Sequence, residues 1–239
     1  MKIALIGYGK MGKAIEEIAL QKGHEIGLKI DVSNIDEFTT ENLSKCDVAI
    51  EFTSPHTAVQ NIYKCFEAGI PLVCGSTGWL DHLEEVTKNC VEKNAAFLYA
   101  SNYSIGVNIF FEVNKRLAQL MDRQESYSVS VEEIHHTEKR DAPSGTAITL
   151  AEQILQNVHR KKLWVNHISN TPTDLPIISK RIDPAPGTHT ITYSSAVDDI
   201  EITHTAHNRQ GFATGAVLAA EFMKDKPAGL YSMKDVLGL

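Results

Sequence analysis

The chain has 239 residues, which suits one large domain or two small ones, and its 43% hydrophobic and 22% charged content is typical of globular proteins. A net charge of −7 argues against a nucleic-acid partner. No apolar run approaches the ~20 residues that span a bilayer, and the N-terminal one is too short for a signal peptide. The cysteines show no C-x-x-C pairing, which favours free thiols. We therefore expect a cytoplasmic protein with no membrane contact.

The first hundred residues alternate short apolar runs with helical patterns. Helical spacing of apolar residues begins at Met11 and recurs over 57–68 and 80–92. Five apolar runs flank these helices: KIALI at 2–6, EIGLKID at 25–31, DVAIEFT at 47–53, IPLVCG at 70–75 and AAFLYA at 95–100. Such runs are typical of parallel strands covered on both faces. The pattern predicts a Rossmann-like, doubly wound parallel sheet, which binds ligands at the carboxyl ends of its strands.

A glycine fingerprint, GYGKMG at 7–12, directly follows the first predicted strand and opens a helix. In G-x-G-x-x-G, Gly7 makes the turn, Gly9 admits a pyrophosphate and Gly12 allows close helix packing. Asp31 ends the second strand, where a carboxylate accepts hydrogen bonds from the adenine ribose. The sequence therefore predicts NADH or NADPH as cofactor. NADH is favoured because Asp31 repels a 2′-phosphate and no arginine follows it, although nearby lysines could offset that repulsion.

Small residues and glycines follow three later strands. The segments are FTSPHTA at 52–58, GSTGW at 75–79 and ASNYSIG at 100–106. They are expected at the cofactor crevice, where the third could bring Tyr103 toward the nicotinamide. Alternatively, they are only strand-to-helix turns.

The pattern changes after residue 106. A helix is predicted over 107–121, with Ile109, Val113, Leu117 and Leu120 as its apolar stripe, and a strand over 127–136. Two further strands, at 188–195 and 198–207, are joined by a short turn. The sequence thus predicts a second, α+β substrate-binding domain with a mixed or open β-sheet over 106–208. An alanine-rich helix from Gly211 is expected to return to the nucleotide domain, which then comprises 1–105 and 209–239.

The segment HHTEKRDAPSGTA at 135–147 concentrates ionisable side chains between a strand and a helix. Ser144 suits the N-cap, so Gly145 and Thr146 occupy the first helical turn, where backbone N–H groups attract a carboxylate. A histidine titrates near neutrality and suits a general acid, and Lys139 suits an anion partner. In the competing interpretation, Lys139 and its charged neighbours form a solvated loop, and the two histidines only end the strand.

The chain resembles dihydrodipicolinate reductases of the diaminopimelate route to lysine. EEIHHTEKRDAPSGTA looks like the signature of that family, and GYGKMG, EFTSP, GSTGW, ASNYSIGVN and HTAHNRQGFATGA follow in its order, so nearly the whole chain is covered. The resemblance implies a homotetramer assembled through the sheet of the second domain. It also implies reduction of 4-hydroxy-tetrahydrodipicolinate, a small dicarboxylate. The chain departs from the family pattern at two places. The link between the second and third strands is shortened, and Val32 follows Asp31 where some members carry arginine after the acidic residue.

The resemblance implies a role for each matching residue. His135 would donate or accept a proton and Lys139 would be the second proton-donating group. His136, Gly145, Thr146 and Arg209 would bind substrate, although a structural arginine is the alternative for Arg209. The implied cofactor residues are Gly7, Tyr8, Gly9, Lys10, Met11, Gly12, Asp31, Gly75, Ser76, Thr77, Ala100, Ser101, Asn102 and Tyr103.

Three other functions compete with this one. A metal-dependent hydrolase would use the histidine pairs 135–136 and 204/207, but neither pair has an acidic or cysteine ligand at a recognisable spacing, so no metal is expected. A dinucleotide sensor without turnover would leave Lys139 without a task. Another NAD(P)-linked dehydrogenase, acting on an amino-acid semialdehyde, would bring a nucleophilic cysteine in its second domain, whereas all four cysteines precede residue 91.

Overall fold

The computed structural model describes residues 1–208 and 210–239, and the chain divides into two compact units. The first comprises Met1–Ile105 and Gln210–Leu239, and the second is Gly106–Arg209. This division differs from the predicted one at residue 209 alone, which lies outside the described residues. No helix in the described parts of the chain is long and apolar enough to cross a membrane.

Strands and helices alternate through the first half and strands dominate the second. The strands are β1 Lys2–Ile6, β2 Glu25–Ile30, β3 Val48–Glu51, β4 Leu72–Cys74, β5 Ala96–Tyr99, β6 Ser128–His135, β7 Leu163–Val165, β8 Asp174–Arg181, β9 Gly187–Ser194, β10 Asp199–Ala206 and β11 Gly229–Tyr231. The α-helices are α1 Lys10–Gln21, α2 Thr40–Leu43, α3 Pro55–Glu67, α4 Leu83–Glu92, α5 Ile105–Met121, α6 Gly145–Asn157, α7 Gln210–Met223 and α8 Met233–Leu237.

The first unit is built on a six-stranded sheet in the order β11-β5-β4-β3-β1-β2. All its strand pairs are parallel, as predicted. Because β1 lies between β2 and β3, the order of strands reverses there, and in open sheets of this class the ligand crevice opens at that switch point. The topology therefore confirms the Rossmann-like fold.

Helices cover both faces of this sheet. On one face Ile62 and Phe66 of α3 and Val86 of α4 pack against strand residues such as Phe97. On the other face α1 packs beside α7, whose alanines contact a core that includes Leu5 and Val73. The C-terminal helix thus returns to the nucleotide unit, as its composition predicts.

The second unit is built on a mixed five-stranded sheet in the order β10-β9-β6-β8-β7. β6, β8 and β7 pair in parallel, whereas β6, β9 and β10 pair antiparallel. Side chains of α5 and α6 pack on one face of the sheet, around residues such as Leu150, Val131 and Ile191. This confirms the α+β class with a mixed sheet.

The predicted apolar stripe of α5 is wrong. Ile109, Val113 and Leu120 are 46%, 45% and 54% exposed. The helix instead turns Phe110, Ala118 and Met121 into the core, and of the predicted stripe only Leu117 packs against it. Both faces of α5 are apolar, so periodicity alone could not choose between them.

The helical spacing over 80–92 places Leu83, Val86 and Val91 loosely on one predicted face of α4. Val86 is buried, as predicted, whereas Leu83 and Val91 are exposed and Cys90 is buried instead. The helix begins only at Leu83, after a 3-10 turn at Leu80–His82, which shifts the face that the sequence spacing indicates.

Candidate active site

The three fingerprint glycines meet three different requirements. Gly7 has φ +94°, and a Cβ there would lie 2.0 Å from the carbonyl oxygen of Phe52. A Cβ on Gly12 would lie 2.2 Å from the carbonyl oxygen of Gly7, whereas a Cβ on Gly9 would meet no atom within 4 Å. Gly7 and Gly12 therefore permit the turn and the packing of α1, and Gly9 borders open space where a phosphate would approach.

Two clefts open at the carboxyl ends of the strands in the first unit. One, of about 360 Å³, is lined by the segments after β1, β3 and β4: Gly9, Lys10, Met11, Phe52, Thr53, Ser54, Pro55, Gly75, Ser76 and Thr77. The other, of about 410 Å³, is lined at the end of β2 by residues that include Tyr8, Lys29 and Asp31. Eight of the fourteen predicted cofactor residues line these clefts, whereas Gly7, Gly12 and the 100–103 segment do not. The clefts therefore offer room for the two halves of a dinucleotide.

A buried carboxylate that the sequence analysis missed connects two of these loops. Glu51, at the end of β3, is fully buried. It accepts hydrogen bonds from Thr53 N at 3.1 Å and from Ser76 Oγ at 3.0 Å, and the Cys74 thiol lies 3.1 Å away. Glu51 thereby holds together the loops after β3 and β4. An acidic residue within an otherwise apolar strand was the available signal.

Tyr103 does not present its ring to a ligand. Its side chain is buried, its hydroxyl donates to the carbonyl of Cys74 at 2.7 Å and its ring packs against Phe52. A contact of this ring with the nicotinamide is therefore not supported, because the ring already packs against Phe52 and the hydroxyl is bonded to Cys74. Of the other predicted residues in this segment, Ser101 is exposed and Ala100 and Asn102 are half-buried.

In the second unit, His135 ends β6 and is 7% exposed. Its Nδ1 lies 3.1 Å from Oε2 of Glu133, a fully buried residue on the same face of the strand. This contact lacks hydrogen-bond geometry, and neither atom has another hydrogen-bond partner among the residues that the structure describes. Oε1 of Glu133 accepts from Ser144 N at 3.1 Å and from the Arg181 guanidinium at 3.2 Å.

These contacts keep Glu133 ionised. Burial raises the pKa of Glu133, but the contacts with His135 and Ser144 outweigh burial and hold that pKa below its ordinary value. His189 on β9 contacts the same cluster, with its ring 5.1 Å from that of His135. Burial is the main cause that lowers the pKa of His189 to about 4, so its ring is neutral at physiological pH. Neither Glu133 nor His189 is among the site residues predicted from the sequence.

The predicted anion site lies at the start of α6. Ser144 is the N-cap, as predicted, and its hydroxyl accepts a hydrogen bond from Ala147 N at 3.2 Å. Ser144 Oγ also lies 3.1 Å from Nε2 of His189. Gly145 is exposed and Thr146 is half-buried in the first turn, where a helix attracts an anion.

The loop between β6 and α6 carries Lys139 and His136. Nζ of Lys139 lies 2.7 Å from both carboxylate oxygens of Asp141, and this hydrogen bond lowers the pKa of Asp141. His136 is half-buried. Arg209, the remaining predicted substrate residue, lies outside the described residues.

Glu133, His135 and His189 also place potential metal-ligating atoms within 4.8 Å of one another. Of the four histidines on which the hydrolase alternative depended, this group in the described residues contains His135 but not His136, His204 or His207. The positive charge of Arg181 already lies 3.2 Å from the carboxylate of Glu133, which weakens the site for a second cation. The expectation of no metal therefore stays a prediction.

Comparison with known proteins covers the whole chain. The family model for the N-terminus of dihydrodipicolinate reductase matches residues 1–103, and the model for its C-terminus matches residues 106–237. The chain is 51% identical to the 4-hydroxy-tetrahydrodipicolinate reductase of Christiangramia forsetii, across 99% of this chain and 98% of that protein. It is 34% identical to the 4-hydroxy-tetrahydrodipicolinate reductase of Methanosarcina acetivorans, across 99% and 89% of the two chains.

A solved structure shows the same fold. Dipicolinate-bound dihydrodipicolinate reductase from Paenisporosarcina sp. TG-14 superposes with a TM-score of 0.76 at 22% identity, over 97% of each chain. With both family models matched in order and close relatives aligned over the full length, the chain belongs to the dihydrodipicolinate reductase family.

Proposed function

We propose that this protein is a 4-hydroxy-tetrahydrodipicolinate reductase, an oxidoreductase of lysine biosynthesis. The observation that carries the proposal is the β6–α6 segment, which joins His135 and Lys139 to a capped helix start in a chain 51% identical to a reductase of that name. The substrate is a cyclic imine with two carboxylates. It loses water to give a conjugated imine, which takes up a hydride at C4 and a proton to give tetrahydrodipicolinate.

The second unit binds the substrate carboxylates. The start of α6 supplies partial positive charge at Gly145 and Thr146, and Ser144 fixes its geometry. His136 and Arg209 supply further donors, and a guanidinium suits a carboxylate because it binds both oxygens. Holding a ring by both carboxylates fixes its orientation, which contributes several kcal/mol to catalysis.

His135 and Lys139 handle the protons. Electron density that enters the ring at C4 moves toward the ring nitrogen, so a proton donor and a positive charge stabilise the product side of the reaction. In the structure Lys139 is paired with Asp141. An anionic substrate can draw Lys139 away from Asp141. The ammonium group of Lys139 then contacts the substrate carboxylates only after the substrate has bound.

The first unit binds NAD(P)H, which supplies the hydride. Gly7, Gly9 and Gly12 form the open turn, and the two clefts accommodate the dinucleotide. The cofactor residues include Ala100–Tyr103. Within this segment Tyr103 is buried, so it supports the loop and does not present its ring to the cofactor.

NADH is the preferred cofactor. Asp31 lines the cleft at the end of β2. Its Oδ1 accepts a hydrogen bond from Val32 N at 2.8 Å, which holds the carboxylate in place. Lys29, which lines the same cleft and could bind a 2′-phosphate, is paired with Glu16 at 3.2 Å, and Glu16 also accepts a hydrogen bond from Tyr8. The local charge therefore opposes NADPH.

The protein acts in the cytoplasm as a homotetramer assembled through the sheet of the second unit. On the face opposite the core, β9 and β10 carry threonines, and Thr188–Thr205 and Thr190–Thr203 form hydrogen-bonded pairs across the strands. The edge strand β10 keeps exposed residues along its length. Sedimentation equilibrium should give four times the 26.4 kDa chain mass, and a monomer would refute this assembly.

The test is oxidation of NADH and NADPH, followed at 340 nm, with freshly generated hydroxy-tetrahydrodipicolinate. We expect turnover with both cofactors and a higher kcat/KM for NADH. His135→Gln and Lys139→Ala should each lower kcat by about 10²-fold or more while KM changes little. Matched controls are His167→Gln and Lys180→Ala, exposed residues of the same unit. Cofactor binding without turnover would replace this function with the sensor alternative.

A further inference from the structure

One charged side chain in the second unit has no place in the proposed reaction. Glu133 is fully buried on β6, two residues before His135, so both point to the same face of the strand. Burying a carboxylate is unfavourable unless specific partners compensate for the lost hydration. The partners of Glu133 come from three other elements, namely His189 on β9, Ser144 at the start of α6 and Arg181 on β8.

The two oxygens of Glu133 have separate tasks. Oε1 receives the backbone N–H of Ser144 and the guanidinium of Arg181, at 3.1 and 3.2 Å. Oε2 makes no hydrogen bond to these groups and lies 3.1 Å from Nδ1 of His135 and 3.9 Å from Nε2 of His189. One oxygen is therefore anchored to the scaffold, and the other is directed at the imidazole.

We propose that Glu133 is a positioning residue that fixes the tautomer and orientation of His135. Its carboxylate holds the proton on Nδ1, so that Nε2 is the nitrogen that exchanges a proton with the substrate. A carboxylate beside one ring nitrogen fixes a histidine in this way in many sites. This inference rests on the proposed function, because it gives His135 the proton-transfer role.

The surroundings of Nε2 fit this assignment. A Cβ on Gly187 would lie 3.1 Å from Nε2 of His135, so any side chain at this position would press on that nitrogen. The absence of a side chain at Gly187 leaves space beside the nitrogen that the proposal assigns to proton transfer. Nδ1, by contrast, faces the buried carboxylate.

The kinetic test compares Glu133→Gln with Glu132→Gln. Glu132 is the neighbouring carboxylate on the opposite face of β6 and is paired with Lys180 at 2.6 Å, so the control removes a charge without touching His135. Glu133→Gln should lower kcat by about 30-fold with KM within about threefold, and Glu132→Gln should change neither. Glu133→Asp, which keeps the charge, should restore part of the lost kcat.

Recovery of kcat in Glu133→Asp, with KM unchanged, separates positioning from a purely structural role. Unchanged kcat in Glu133→Gln, as in Glu132→Gln, would overturn the proposal.

A measurement on the unsubstituted protein needs no substrate and uses a variant only for assignment. The ¹⁵N imidazole shifts of neutral His135, assigned by their loss in His135→Gln, should show a protonated Nδ1. A protonated Nε2 with a bare Nδ1 beside Glu133 would overturn the proposal even if the enzyme is active. If no substrate is reduced, the proposed function fails, and these shifts still decide whether Glu133 holds the ring.

A metal would give a different outcome. If the activity is lost with a chelator and regained with Zn²⁺, Glu133, His135 and His189 act as its ligands, and the positioning role is overturned. Activity that is indifferent to the chelator supports the proposal.

Discussion

His189 should make the protein less stable as the pH falls below neutrality. Its ring is buried between Glu133, His135 and Ser144, and burial lowers its pKa to about 4 from an ordinary 6.5. Between these values the unfolded chain binds a proton that the folded protein excludes. Unfolding therefore takes up a proton, so stability decreases with decreasing pH.

The size of the effect follows from the two pKa values. Linkage gives a loss of about 2 kcal/mol between pH 7 and pH 5, and about 3 kcal/mol in the limit below pH 4. The contribution of His189 becomes constant only about one pH unit above its ordinary pKa of 6.5. Glu133, whose pKa is lowered in the folded protein, adds its own loss of stability mainly as the pH falls toward the ordinary carboxyl value of 4.5, so it contributes little between pH 7 and pH 5.

The assay is urea unfolding at several pH values for the parent and for His189→Gln, at one protein concentration. The two tryptophans lie in different units, so a Trp79→Phe background leaves Trp164 to report on the second unit. The loss of stability from pH 7 to pH 5 should be about 2 kcal/mol smaller in His189→Gln. Parallel pH dependences in the two proteins would refute the assignment of this loss to His189.

Three further predictions concern the cofactor and the proton-transfer site. Asp31→Ser should raise the NADPH to NADH ratio of kcat/KM about tenfold in steady-state assays, and an unchanged ratio would remove Asp31 from cofactor selection. Gly9→Ala should raise KM for the cofactor while preserving the Tm. Gly12→Ala should lower Tm by about 5 °C, because its Cβ would lie 2.2 Å from a carbonyl oxygen. Equal effects of Gly9→Ala and Gly12→Ala on KM and Tm would contradict the separate roles of the two glycines. Gly187→Ala should lower kcat about tenfold by crowding His135, with normal cofactor binding by fluorescence titration, and a normal kcat would show that Nε2 has room to spare.

The sequence predicted the parallel sheet because its strands are apolar runs between clear helical patterns. It did not predict β7 or β8, since β8 contains Pro176, and a proline argues against a strand inside a sheet. The prediction of which face of α5 is buried was wrong, because apolar residues lie on both sides of that helix. Which of two apolar faces is buried depends on the packing of distant elements, which a local pattern does not contain.

The candidate site was partly readable from the sequence. The two histidines, the lysine and the helix cap stand together in one segment, whereas Arg181 and His189, which contact Glu133, come from β8 and β9. Glu133 could have been found, because Val129, Val131, Glu133 and His135 all occupy the buried register of β6. A carboxylate in that register needs a compensating partner and so marks a site. His189 occupies the same kind of position in β9, next to Ile191 and Tyr193.

The discontinuity of the first unit has a consequence for synthesis. Residues 106–209 are contiguous, so a ribosome delivers the entire second unit while the first still lacks α7 and β11. Until α7 emerges, the core around Leu5 and Val73 stays open on one face of the sheet. The nascent nucleotide unit therefore exposes apolar surface that only the last thirty residues cover. Truncations before Gln210 should bind chaperones and lose the cofactor site, even though every residue that lines it has been made.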